Sequence, residues 1–90
     1  KRQAVEWIPD LHARFQADDP LDWSECLYVD DSDSALDAMR LLRDLGGCPA
    51  TVANGGRAVR QFCREDGFAS DEPFERGVLE VLRAWLSATV

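Results

Sequence analysis

The chain has 90 residues, of which 46% are apolar and 30% charged, and its formal net charge is −7. This length suits a single domain with a modest core, and the apolar share is too high for intrinsic disorder. The acidic excess opposes nucleic acid and anionic membrane surfaces as partners, and no apolar run is long enough to span a bilayer or form a signal-peptide core.

The expectation is one soluble, cytoplasmic domain over 1–90 that, beginning without Met, can be a module of a longer protein. Cys26, Cys48 and Cys63 are widely spaced, odd in number and accompanied by one histidine, His12. That pattern lacks zinc-ligand spacing and reads as thiols of a reducing compartment, with one disulfide between two of them as the alternative. No metal and no cofactor are expected.

In chain order, a helix is expected from about Gln3 to Gln16, with Val5, Ile8 and Phe15 on its apolar side. Pro9 should kink it or divide it in two. Asp19-Pro20-Leu21-Asp22 resembles a helix start, predicting a short helix from Pro20 to about Val29. Cys26-Leu27-Tyr28-Val29 is also compatible with a buried strand. The central helix, capped by Ser32, Asp33 or Ser34, runs through Leu45 to Gly46-Gly47. Its stripe is Ala35, Ala38, Leu41, Leu42 and Leu45. Leu36 and Met39 fall outside it, which predicts a helix clamped between neighbours or facing a partner, with the core favoured.

A further helix spans roughly Gly56 to Asp66, with Ala58, Val59, Phe62 and Cys63 on one side and Arg57, Arg60 and Arg64 on the other. The last starts after Ser70-Asp71, has Pro73 in its first turn and runs to about Thr89, its apolar side being Phe74, Val78, Val81, Leu82 and Trp85. The predicted fold is therefore all-α, a compact bundle of five or six short helices with a Pro-kinked first helix.

Catalytic patterns are absent from the spacing. An EF-hand loop starting at Asp30 or Asp31 lacks its glycine and its closing glutamate. The glycine pairs lack the Lys and Ser/Thr of a P-loop, and no nucleophile, base and orienter are legible together. Tyr28-Val29-Asp30-Asp31 matches the string around the paired metal-binding aspartates of reverse transcriptases, but an acidic chain of 90 residues cannot supply their basic cleft.

Leu27-Tyr28-Val29-Asp30-Asp31-Ser32, the helix ending Leu45-Gly46-Gly47 and Val52-Ala53-Asn54-Gly55-Gly56-Arg57-Ala58-Val59 together resemble the first half of a response-regulator receiver domain. In that family the acidic pair after the first strand holds Mg²⁺. The resemblance implies the alternative fold class, α/β, as a receiver-like half with two short parallel strands. Nothing after Phe62 resembles the strand with the phosphoacceptor aspartate, so no phosphorylation site is carried over.

From Asp18 to Asp33 there are seven acids and no base. The functional expectation follows from that segregation: a non-enzymatic protein-interaction module that sets Asp18, Asp19, Asp22, Glu25, Asp30, Asp31 and Asp33 against Arg57, Arg60 and Arg64. Head-to-tail self-association or a protein partner would use these surfaces. The alternatives are a small acidic inhibitor or antitoxin-like protein covering a basic site on its partner, and a degenerate receiver-like signalling domain.

Overall fold

The computed structural model describes residues 1–15 and 21–89. The elements in chain order are α1 (Arg2–Phe15), β1 (Leu27–Val29), α2 (Leu36–Leu45), β2 (Cys48–Thr51), α3 (Arg57–Asp66), β3 (Phe68–Ala69) and α4 (Phe74–Thr89). Single 3-10 turns at Trp23–Glu25 and Asp33–Ala35 lead into β1 and α2. The strands form one parallel sheet in the order β1-β2-β3.

The all-α expectation is thus overturned: the domain is mixed α/β. Three places carry the difference. Asp22 does not open a helix to Val29. Its Oδ1 accepts from the Ser24 amide at 2.9 Å and the Ser24 hydroxyl at 2.6 Å, closing one turn that ends in extended backbone at Cys26 (ψ 129°). Tyr28 and Val29, both good strand formers, then continue extended. Cys48-Pro49-Ala50-Thr51 is the central strand despite its proline. Ala50 is in register with Phe68, so the side of Pro49 that lacks an N–H faces the sheet ahead of the start of β3, where no ladder bond is needed. Finally, α1 runs as one helix through Pro9.

The α/β alternative is also corrected in detail. Among the described residues there are three strands, and β1 lies at an edge with β2 in the middle. A flavodoxin-like sheet, ordered 2-1-3-4-5, flanks its first strand on both sides.

Strand alternation divides the side chains between two faces. Tyr28 and Ala69 pack on Ala35 of the turn before α2 and on Met39, Val59, Phe62 and Cys63 from α2 and α3. On the same side, Val5 of α1 packs with Ala38 and Leu42. Helix α2 is therefore clamped between α1 and α3, and Met39, outside the sequence stripe, is 0% exposed. It ends as the glycines require, with Gly46 in the left-handed region (φ 102°) and the Gly47 amide donating to the Leu42 carbonyl at 2.9 Å.

The opposite face is covered by α4. Leu27, Cys48 and Phe68 meet Val81, Ala84, Trp85 and Ala88 around a small apolar gap. Near the other end of α4, Gly77 sits directly on Val52, where any Cβ would overlap the valine side chain. Among the described residues no helix is long and apolar enough to cross a membrane.

Candidate functional site

The carboxyl ends of parallel strands gather loops from non-adjacent segments, and open α/β sheets place ligands there. In this domain that end holds a cleft of about 260 Å³ lined by Val29, Asp30, Asp31, Val52, Asn54, Phe74 and Val78. It lies below the range of about 300–1,000 Å³ typical of small-molecule pockets. Its size suits an inserted side chain.

The acidic segment builds one wall. Asp30 Oδ1 accepts from the Ser32 amide at 2.9 Å, while Oδ2 accepts from Lys1 Nζ and the Tyr28 hydroxyl, each at 3.0 Å. Burial pushes its carboxyl up, but these three donors outweigh that and hold it below the ordinary value. Tyr28 is pushed up to about 12, by burial first and then by its bond to the Asp30 carboxylate. The Asp31 carbonyl accepts from the Gly56 amide at 2.9 Å.

Asp33 has a different task. Helix α3 begins at Gly56, which has no side chain to cap it. Asp33 Oδ1 takes that role from a distant loop, accepting from the Val59 amide at 2.9 Å. Its negative charge also meets the positive end of the helix dipole. A Cβ at Gly56 would overlap the Asp33 carboxylate, so the glycine makes room for a cap borrowed across 23 positions, counted from Asp33 to Gly56.

The other wall is organised by Asn54. Its Oδ1 accepts from the Phe74 amide at 2.8 Å, fixing the start of α4. Phe74 stands at φ 50°, the left-handed region, which is costly for a residue with a bulky side chain. The residue is 64% exposed and lines the cleft.

The structure brings Asp30 and Asp31 to the cleft and Asp33 to the start of α3. Asp22 caps the turn before β1, its carboxyl lowered by the Ser24 hydrogen bonds. Glu25 is exposed, and Asp18 and Asp19 lie outside the described residues. Arg57, Arg60 and Arg64 share α3. Arg57 and Arg64 are exposed, whereas Arg60 is half-buried, with its Nε buried and unbonded. No ion pair among the described residues joins these arginines to the acidic segment. The sequence reading missed Asn54 and Phe74. The signals available were the Asn-Gly-Gly turn and the proline before Phe74.

Cys26, Cys48 and Cys63 are free thiols, and burial raises all three, Cys63 to about 12. They have no thiolate character to offer. Among the described residues no three His, Cys, Asp or Glu side chains are grouped to hold a metal. No protein-family model, curated protein or solved structure matches this chain.

Proposed function

We propose that the domain is a protein-interaction module whose contact surface is the cleft together with the adjoining side of α4. One observation carries this reading: Phe74, Val78, Leu79 and Leu82 are 39–64% exposed, in a single strip beside the cleft. Soluble domains seldom leave such a strip uncovered without using it. Phe74 and Val78 belong to both the strip and the cleft, so the two form one surface. The strained Phe74 backbone supports the reading, because strain persists where a presented side chain is worth its cost.

The partner chemistry follows from the lining. Apolar walls with Asp31 at the rim, on a domain of net charge −7, suit an apolar segment flanked by lysine or arginine. This replaces the acidic and arginine surfaces by a surface that is apolar first and acidic at its edge. The three unactivated thiols fit a reducing, cytoplasmic setting.

Selection from a random peptide library on the immobilised domain tests the reading. Enriched peptides should carry apolar residues with neighbouring lysine or arginine, and Val78→Asp should abolish their binding. Failure to enrich any peptide, or enrichment insensitive to Val78→Asp, would overturn it.

A further inference from the structure

The ladder bonds of β1 all run one way. Cys26 accepts from the Cys48 amide at 2.9 Å and Asp30 donates to Ala50 at 3.2 Å, so residues 26, 28 and 30 direct their backbone groups toward β2. Leu27 and Val29, between them, direct their N–H and C=O groups to the opposite side. No strand pairs there among the described residues.

Helices lie on both faces of the sheet beside that edge. Helix α1 packs on α2, and Lys1, just ahead of α1, donates to Asp30. On the other face, Val78 joins Val29 at the cleft, placing the exposed strip of α4 on the β1 side.

The geometry points to a recognition mode, which rests on the interaction reading above: the outer edge of β1 accepts an extended segment of a partner protein as a fourth strand. The segment bonds to the backbone of Leu27 and Val29, seats alternate apolar side chains against α4 and α1, and carries a lysine or arginine that meets Asp31 and Glu75. Glu75 is exposed and shares the side of α4 that holds Val78 and Leu82.

A short synthetic peptide alternating valine with threonine, with lysine at both ends, is the probe. Its saturation should slow amide exchange at Leu27 and Val29 about tenfold or more, leaving Asp30, already bonded to β2, little changed. N-methylation of its alternate amides, made in both phases, should weaken binding by about tenfold or more in one phase only. No binding, or binding without that protection and phase dependence, overturns the strand-addition proposal. So does protection in the free protein that grows with its own concentration, since a second copy would then occupy the edge. Peptides recovered from the library that bind through Val78 without protecting β1 would leave the interaction reading standing.

Discussion

The two faces of the sheet are built from similar residues and finished to different degrees. On one, α1, α2 and α3 enclose Val5, Ala38, Met39, Val59 and Cys63 at 0–1% exposure. On the other, α4 buries Val81 but leaves Phe74, Val78, Leu79 and Leu82 in solvent. The contrast separates two tasks that apolar residues perform. The covered face holds the fold together, and in the proposed reading the partly covered face is the one that meets a partner.

Substitutions that treat the two faces alike should therefore give different results. The largest effect is expected in the covered layer, where Met39→Ala should cost about 2–5 kcal/mol in chemical denaturation. Leu79→Ala, on the open side, should stay within about 0.5 kcal/mol. Equal losses would erase the distinction.

Asp33→Ala removes the cap of α3 and should cost about 0.5–2 kcal/mol. Asp31→Ala, whose loop contact to Gly56 is made by its backbone carbonyl, should cost less in the same titration. Phe74→Gly relieves the left-handed backbone and should raise the thermal midpoint slightly, by at most about 1–2 kcal/mol in stability, while weakening peptide binding. A loss of stability there would show that the ring packs in the fold.

The smallest effects concern pH. The carboxyl of Asp30 is lower in the folded protein than when unfolded, so its contribution is present above the unfolded value and is lost as pH falls through the folded one. Asp30→Asn should flatten the acid side of the stability profile. Tyr28 is raised from 10.0 to about 12. Between these values the unfolded chain loses its proton first, so stability falls as pH rises, and Tyr28→Phe should remove that alkaline decline.

The helices were the legible part of the sequence because each repeats its apolar residues over several turns and carries its own punctuation. Gly46 stops α2, and Gly67 follows α3. The strands span three, four and two residues, too short for alternation to register. Pro49 further disguised the central strand, since the missing ladder bond that permits it depends on where β3 begins. Leu41 and Leu45 were read with the core stripe, but Leu45 is exposed and Met39 took a buried place, because α2 has neighbours on two sides.

Only part of the candidate site could be read in advance. Asp30 and Asp31 stood out as an acidic pair, but their wall of Val52, Asn54, Phe74 and Val78 comes from loops that only the sheet brings together. The tie between Asp33 and Gly56 is equally non-local. Its traces were an uncapped glycine before α3 and an aspartate with several alternative uses.

The most direct test measures stability and peptide binding on the same protein, Leu82→Asp. An unfolding free energy within about 0.5 kcal/mol of the wild type, together with loss of library-selected peptide binding, is the predicted result. A drop comparable to that of Met39→Ala with binding retained would contradict it, placing the exposed side of α4 in the service of the fold.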